Sequence, residues 1–285
     1  MAKPAAMVLG ATGRIGRLLQ LCPPDGLALR LQARRQQELP GAWRIFDPLQ
    51  APDALTRAAD GVGAILCLAG PVPGRGAGEM KDHVRLGEAA VRAGASAGAR
   101  VLLASSAAVY GAQSGLLAED TPLQPANPYG QAKVEMEARA AALGAELGVP
   151  VCALRIGNIA GFDAILGGWR PGFCLDRFPD GCSPRRSYIG AGSLARVLGA
   201  LLALPVLPPA LNIAQPGTVG MAALLQAAGR TFTQSPAPET AIPEVALDTQ
   251  RLQALLPFAL TAADPAQMAT EWAAIEPHFN EEQSR

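Results

Sequence analysis

The amino-acid sequence predicts an α/β protein built on a doubly wound parallel sheet, with a small C-terminal substrate-binding lobe. Short apolar segments alternate with alanine- and leucine-rich segments of helical length, and a glycine-rich turn joins the first strand to the first helix. Strands that are apolar throughout are typical of a parallel sheet covered by helices on both faces. The alternation weakens after about Gly161, where glycine, proline and scattered aromatic residues become frequent.

The strands and helices can be assigned in order along the chain. The apolar runs are assigned as strands: Ala5–Leu9, Leu27–Ala33, Ala64–Ala69, Val101–Ala104, Val151–Ile156 and Leu211–Ile213. The segments between or after them are assigned as helices: Ile15–Leu21, Asp53–Ala59, His83–Ala93, Tyr129–Leu147, Ser193–Leu204 and Thr249–Leu256. Strict alternation of this kind implies right-handed crossovers within one sheet.

Charge and hydropathy argue against two classes of partner. The 285 residues include 24 basic and 24 acidic side chains, so the basic excess of a nucleic-acid-binding protein is absent. No apolar run approaches the roughly 20 residues that cross a bilayer. The first four residues lead into the glycine turn rather than into the apolar core of a signal peptide. We therefore expect a cytoplasmic protein that binds neither nucleic acid nor membranes.

Cysteine and histidine usage argues against a metal site. The five cysteines are most simply free thiols in a reducing compartment, although a Cys174–Cys182 disulfide or metal pair stays open as an alternative. His83 and His278 are the only histidines, and neither lies in a metal-ligand motif. We expect no metal.

The stretch "MVLGATGRIG", from Met7 to Gly16, has small residues where a dinucleotide-binding turn needs them. They permit a tight turn, let the backbone approach a pyrophosphate and let helix and strand pack closely, with the phosphates at the helix N-terminus. The alternative is a tight turn without a ligand. We predict a Rossmann domain over residues 1–160 and a smaller lobe over 161–285, some elements of which return to the sheet. The predicted cofactor-binding residues here are Gly10, Thr12, Gly13, Arg14, Ile15, Gly16 and, after the fourth strand, Ala69.

The end of the second strand favours NADP(H) over NAD(H). An NAD-binding chain usually places an acidic residue there, on the ribose hydroxyls. This sequence has Arg34 and Arg35 instead, and the next carboxylate is Glu38. Two guanidinium groups could bind a 2′-phosphate; the alternative is that both are simply solvated. Asp47, after the third strand, is predicted to lie near the adenine.

The segment "NPYGQAK" carries the candidate acid–base pair. Asn127 and Pro128 are typical of a helix start, which places Tyr129 and Lys133 at positions i and i+4 on one helix face. A tyrosine of pKa about 10 is a poor base at neutral pH, and we expect the neighbouring ammonium to lower that pKa. Ser106 follows the strand Val101–Ala104, at the sheet edge where ligands bind. Surface residues at a chance spacing are the alternative.

With these motifs the chain resembles the extended short-chain dehydrogenases/reductases, in their NAD-dependent epimerase/dehydratase branch. The resemblance runs from Met7 to Met221 and rests on "GATGRIG", "SSAAVYG", "NPYGQAK", "LRIGNIAG", "RRSYIGAGSLA" and "LNIAQPGTVGM". It implies that Ser106 is catalytic, that Tyr129 is the acid–base residue and that Lys133 also binds the nicotinamide ribose. It further implies substrate contacts from Asn158 and Arg186 and, by analogy, a homodimer.

Departures from the family pattern narrow the chemistry. The acidic pair that dehydratases carry after the catalytic residue is replaced by Ala107 and Ala108, so a dehydratase is not expected. The family's acids and histidine near Arg186 are absent, and His83 stands where an asparagine is common. The segment Gly70–Met80 could act as a lid, with a plain surface loop as the simpler interpretation.

The first functional interpretation is therefore an NADP(H)-dependent oxidoreductase acting on a ketone or secondary alcohol. A nucleotide-sugar epimerase would use the same Tyr129 and Lys133, and Asn158 and Arg186 favour it. A non-catalytic dinucleotide sensor ranks last, because both members of the acid–base pair are present.

Overall fold

The computed structural model describes residues 4–72 and 78–280. The strands are β1 (Ala5–Leu9), β2 (Ala28–Ala33), β3 (Ala42–Ile45), β4 (Ala64–Cys67), β5 (Arg100–Ser106), β6 (Leu116–Leu117), β7 (Val151–Ile156), β8 (Asn158–Ile159), β9 (Cys174–Arg177), β10 (Arg185–Arg186), β11 (Tyr188–Ile189), β12 (Ala210–Ile213), β13 (Val219–Gly220), β14 (Thr233–Pro236) and β15 (Glu244–Leu247). The helices are α1 (Arg14–Leu21), α2 (Pro52–Ala59), α3 (Asp82–Ala97), α4 (Pro128–Leu147), α5 (Ala191–Ala203), α6 (Met221–Ala227), α7 (Gln250–Leu255) and α8 (Pro265–Asn280).

The central sheet has seven strands in the order β12-β7-β5-β4-β1-β2-β3. Strand β1 pairs in parallel with both β2 and β4, and chain order reverses direction between β1 and β4. This reversal is the switch point at which open α/β sheets bind ligands, beyond the carboxyl ends of the strands. The predicted doubly wound parallel sheet is confirmed.

Burial on both faces explains why the central strands β1 and β4 are apolar throughout. Residues of β1 that point to opposite faces, Met7 and Val8, are both fully buried. On one face the core also takes in Leu55 of α2, Leu86 of α3 and Met136 of α4. Strand β1 therefore buries side chains on both faces of the sheet, as its apolar sequence indicated.

Helix α4 begins as the sequence predicted. The Asn127 side chain accepts a hydrogen bond from the backbone N–H of Gly130 at 2.9 Å, and Pro128 occupies the first turn. Close packing fixes the position of this helix, because a Cβ on Gly130 would lie 2.4 Å from the carbonyl oxygen of Ala108. The start of α4 is therefore held against the turn that follows β5.

The chain divides into two compact units. The first comprises residues 1–111, 123–155 and 195–211, and the second residues 112–122, 156–194 and 212–285. In the second unit a four-stranded sheet has the order β13-β10-β15-β6, and two further pairs are β11-β8 and β14-β9. Aromatic packing among Phe162, Trp272 and Phe279 stabilises this unit.

The structure bears on two expectations from the sequence, one about cysteine pairing and one about membrane-spanning helices. Cys174 and Cys182 are exposed free thiols, so the disulfide alternative is not realised. Within residues 4–72 and 78–280 no helix is both long and apolar enough to span a bilayer.

Candidate active site

The glycine turn after β1 depends on Gly10 for two separate reasons. Its φ of +74° lies in the left-handed region, which L side chains rarely adopt. A Cβ at this position would also lie 2.7 Å from the backbone nitrogen of Ala69, just beyond β4. The turn therefore lies at the switch point of the sheet, in close backbone contact with the residue that follows β4.

Gln32, which the sequence interpretation did not single out, holds this turn in place. Its side chain is buried in β2, where the Oε1 atom accepts a hydrogen bond from the Gly10 N–H at 2.9 Å. The Nε2 atom donates to the Phe46 carbonyl at 2.6 Å, which links the turn to the end of β3. The sequence signal for this role of Gln32 was an amide side chain near the end of the largely apolar strand "ALRLQA".

The turn fits the pyrophosphate of a dinucleotide. Helix α1 begins at Arg14, and its N-cap residue Gly13 supplies no side-chain hydrogen bond to the first-turn N–H groups. Those N–H groups and the helix dipole favour an anion at this end. Thr12 is exposed and Ile15 is half-buried, so the turn is accessible from solvent. Gly16 is needed for packing, since a Cβ there would lie 2.5 Å from Ala11.

The residues predicted to select the dinucleotide lie at the ends of β2 and β3. Arg34 and Arg35 directly follow β2, and both are exposed. Asp47 is half-buried, and its Oδ1 atom accepts a hydrogen bond from the Leu49 N–H at 2.8 Å. That bond turns the chain into α2, so part of the Asp47 carboxylate already has a structural role.

Tyr129, Lys133 and Ser106 come together beyond the carboxyl end of β5. The Lys133 Nζ atom lies 5.6 Å from the centre of the Tyr129 ring. The same ammonium donates to the Ala104 carbonyl oxygen at 2.6 Å. Ser106 ends β5, and its Oγ atom accepts a hydrogen bond from the Ala108 N–H at 3.2 Å. The Ser106 side chain also hydrogen-bonds to Tyr129, so its hydroxyl lies beside the Tyr129 phenol.

The pKa of Tyr129 is raised, whereas the sequence argument expected it to be lowered. Burial favours the neutral phenol and outweighs both the hydrogen bond with Ser106 and the positive charge of Arg14, which lower the pKa. At neutral pH Tyr129 is therefore a phenol, the form that donates a proton.

Burial lowers the pKa of Lys133 to about 8, while Cys67 and Glu137 act in the opposite direction. The side chain is only 4% exposed, so water solvates the ammonium poorly. The ammonium form nevertheless predominates at neutral pH, because that pKa lies above 7. A charged group is thereby kept beside a neutral phenol.

A buried ion pair supports α4 one turn beyond Lys133. The Arg155 Nη2 atom lies 2.8 Å from Glu137 Oε2, with both side chains less than 10% exposed. Arg155 also donates to the Tyr110 hydroxyl at 3.0 Å, and Ser105 donates to the Glu137 carboxylate. Sequence reasoning missed this network, because its members are far apart along the chain. The only sequence signal for it was the presence of charged residues in apolar surroundings.

The predicted substrate-binding residues lie in the second unit, where each has partners of its own. The Arg186 guanidinium donates to the backbone carbonyls of Arg185 at 2.7 Å and Ile242 at 2.9 Å. Asn158 lies in β8, and its side chain hydrogen-bonds to Tyr188. The proposed lid includes residues 73–77, which lie outside the described residues.

Comparison with known proteins gives one match at the level of families. The model of the NAD dependent epimerase/dehydratase family matches residues 6–164. A curated UDP-glucose 4-epimerase of Lactobacillus helveticus is 45% identical over 62 residues, which is 21% of this chain. That match spans 19% of the relative's length, about a fifth of it.

Solved structures match over nearly the whole chain. UDP-glucose 4-epimerase from Brucella ovis in complex with NAD has a TM-score of 0.80 at 20% identity, and the alignment covers 97% of this chain and 98% of that one. A short-chain dehydrogenase/reductase superfamily protein from Agrobacterium tumefaciens with bound NAD has a TM-score of 0.76 at 19% identity, covering 99% and 100%. At these identities the similarity establishes the shared fold.

Proposed function

Because this chain belongs to the NAD-dependent epimerase/dehydratase family, we propose that it transfers hydride between a nicotinamide dinucleotide and a ketone or secondary alcohol. Tyr129 is the general acid and base, Lys133 the cation that supports it and Ser106 the donor that orients the substrate oxygen. The observation that carries this proposal is the convergence of these three side chains beyond the carboxyl end of β5.

The protonation states favour reduction of a carbonyl at neutral pH. A nicotinamide dinucleotide bound at the glycine turn would supply or accept the hydride at its C4 atom. Burial keeps Tyr129 protonated, so its hydroxyl can donate a proton to the carbonyl oxygen as that oxygen gains charge. Ser106 can donate a hydrogen bond to the same oxygen, and Lys133 stabilises the phenolate that Tyr129 becomes. In alcohol oxidation each proton moves in the opposite direction.

We propose NADP(H) as the preferred dinucleotide, although the solved relatives above contain NAD. Arg34 and Arg35 are exposed where an acidic residue would otherwise bind the ribose hydroxyls. Two guanidinium groups suit a 2′-phosphate, which carries about two negative charges and accepts bidentate hydrogen bonds.

The residues after Ser106 argue against dehydration. Ala107 and Ala108 form the short 3₁₀ turn between β5 and α4, and neither can transfer a proton. Elimination of water needs an additional acid or base at the departing hydroxyl. We therefore assign simple hydride transfer rather than a dehydratase reaction.

A nucleotide-sugar epimerase is the second candidate, because the curated relative and the Brucella ovis structure carry that activity in their names. It would use Tyr129 and Lys133 in the same way, with Asn158 and Arg186 on the sugar nucleotide. Arg186 already donates to three backbone carbonyls, those of Arg185, Pro243 and Ile242, which makes it less available to a phosphate. This observation ranks the epimerase second.

Three measurements test the proposal. Fluorescence titration should give tighter binding of NADPH than of NADH, and Arg34→Asp should reverse or abolish that preference. Arg92→Asp, an exposed change in the second half of α3, is the control and should leave it unchanged. A ketone screen should then reveal stoichiometric oxidation of NADPH, whereas interconversion of UDP-sugars without net dinucleotide consumption would establish the epimerase. Binding without turnover of either substrate class would contradict both candidates.

A further inference from the structure

His83 is a buried residue that the proposed reaction leaves without a role. It is the second residue of α3, and only 2% of its surface is exposed. The backbone of Gly70 packs directly on the ring, since a Cβ there would lie 2.3 Å from His83 Nδ1. The ring also stands edge-on to the Tyr129 ring, with centroids 5.7 Å apart and an interplanar angle of 73°. His83 therefore has a single well-defined position beside the acid–base pair.

The contact between His83 and Lys133 determines which ring nitrogen carries the proton. His83 Nδ1 lies 3.1 Å from Lys133 Nζ. A lysine ammonium has three donors and no acceptor, so Nδ1 must be the acceptor and the proton of the neutral ring must be on Nε2. Ala104 and His83 together accept two of the three ammonium donors. These two hydrogen bonds fix both the position and the orientation of the Lys133 ammonium.

The His83 Nε2 atom makes this arrangement unusual. It is buried and has no partner of good hydrogen-bond geometry among residues 4–72 and 78–280, although the ring also interacts with the Pro71 carbonyl. A buried N–H that is poorly satisfied costs stability, and in natural proteins such a group calls for an explanation. Leucine would fill similar space without that cost. The Nδ1 atom explains why a histidine is present, because it accepts a hydrogen bond from Lys133 and a leucine side chain has no acceptor.

We propose that His83 is a positioning residue for Lys133: its neutral ring, protonated at Nε2, accepts a hydrogen bond from the Lys133 ammonium and holds that ammonium beside Tyr129. The part of this proposal that concerns turnover rests on the proposed function. The hydrogen bond and the tautomer do not, because both belong to the protein without substrate.

The surrounding charges keep the ring neutral over the working pH range. Burial and the Lys133 charge lower the pKa of His83 to about 4, with the Pro71 carbonyl and Asp82 opposing them. From β4, Cys67 adds no charge at neutral pH, because burial raises the pKa of its thiol to about 11. From α4, Glu137 faces Arg155 in an ion pair. Above about pH 5 the His83 ring is therefore neutral, so no second positive charge lies 3.1 Å from the Lys133 ammonium.

Nitrogen NMR tests the tautomer without any cofactor. The chain has two histidines, so ¹⁵N-histidine labelling gives two ring spin systems, and His83→Asn identifies which belongs to His83. We expect His83 to be neutral with its proton on Nε2 at pH 6, and Lys133→Met to raise its pKa by removing the adjacent cation. His278 serves as the internal control. A proton on Nδ1, or a His83 ring that titrates near the ordinary value of about 6.5, would overturn the proposal.

A matched pair of substitutions tests the positioning role. His83→Asn keeps an acceptor, whereas His83→Leu removes it. The three lysines, Lys3, Lys81 and Lys133, can be followed separately by ¹³Cε labelling. Loss of a hydrogen bond to the ammonium should lower the pKa of Lys133 by about one pH unit in His83→Leu. His83→Asn should restore most of it. The same Lys133 titration in all three proteins would contradict the proposal.

Enzyme kinetics test whether the His83–Lys133 contact affects turnover. With an accepted ketone, His83→Leu should lower kcat roughly tenfold or more, through misplacement of Lys133 and Tyr129, and shift the alkaline limb of the rate profile to lower pH. His83→Asn should recover much of that loss. If the NMR results hold and the wild-type protein turns over no ketone, the proposed function fails while the His83–Lys133 contact stands. An unchanged kcat in His83→Leu would remove the positioning role.

Discussion

Substitution of Lys133 by methionine should change how the stability of the protein depends on pH. Burial lowers the pKa of Lys133 from 10.5 to about 8. Between these values the unfolded chain holds a proton that the folded protein lacks, so the free energy of unfolding rises with pH. Complete passage through this interval corresponds to about 3 kcal/mol, and the part between pH 7.5 and 9.5 to about 2 kcal/mol.

Titration of Cys67 changes the free energy of unfolding with pH in the opposite direction, so the comparison needs proteins that lack this thiol. Burial raises the pKa of its thiol from 9.0 to about 11, so above pH 9 the unfolded chain loses a proton that the folded protein keeps. The free energy of unfolding therefore falls with pH because of this group. A Cys67→Ala background eliminates the effect in both proteins that are compared.

Urea denaturation at pH 7.5, 8.5 and 9.5 provides the measurement. In the Cys67→Ala background, the protein with Lys133 should gain about 2 kcal/mol over this range relative to Lys133→Met. Lys81→Met, which alters a side chain that is 67% exposed, is the matched control and should give a curve parallel to its parent. Parallel curves for Lys133→Met would show that the Lys133 ammonium is not titrating in a buried environment, and would refute the reasoning.

Two further predictions concern the turn and helix that support the site. Gly10→Ala should lower the free energy of unfolding by about 1–2 kcal/mol for its positive φ and by about 1–3 kcal/mol more for the close contact with Ala69, as measured by urea denaturation. Gly26→Ala, with a φ of +71° and no atom within 4 Å of the added Cβ, should show only the first effect; equal losses would contradict the packing argument. Glu137→Ala should cost about 3–5 kcal/mol, since it leaves Arg155 buried without its carboxylate. Glu88→Ala breaks an ion pair with Arg139, whose side chain is 64% exposed, and should cost at most about 1 kcal/mol; similar losses in both variants would indicate that Arg155 is solvated.

Local patterns were sufficient to predict the central sheet and the start of α4, the helix that carries Tyr129 and Lys133. Strands Ala5–Leu9 and Val151–Ile156 were predicted with the bounds observed, because both are apolar runs buried on both faces. Asn127 and Pro128 mark the start of α4, because capping depends on neighbouring residues alone. The other strands and helices that the sequence assigned differ from the observed bounds by a few residues at their ends, whereas α6, α8 and most strands of the second unit were not predicted.

Contacts between distant segments could not be predicted in this way. The pairing of Glu137 with Arg155 and the contact of His83 with Lys133 depend on how α3, α4 and β7 pack, which periodicity does not specify. The direction of the Tyr129 pKa was wrong for the same reason. The i, i+4 spacing identified the nearby ammonium, but only the folded structure reveals that burial outweighs nearby positive charge.

The most direct test of the central claim is the rate of NADPH oxidation by an accepted ketone, compared between the wild-type protein and Tyr129→Phe under single-turnover conditions. Loss of the phenol removes the proton donor, so the rate should fall by about two orders of magnitude or more. Binding of NADPH, measured separately, should change little. A Tyr129→Phe variant that oxidises NADPH at the wild-type rate would contradict the assignment of Tyr129 as the acid–base residue.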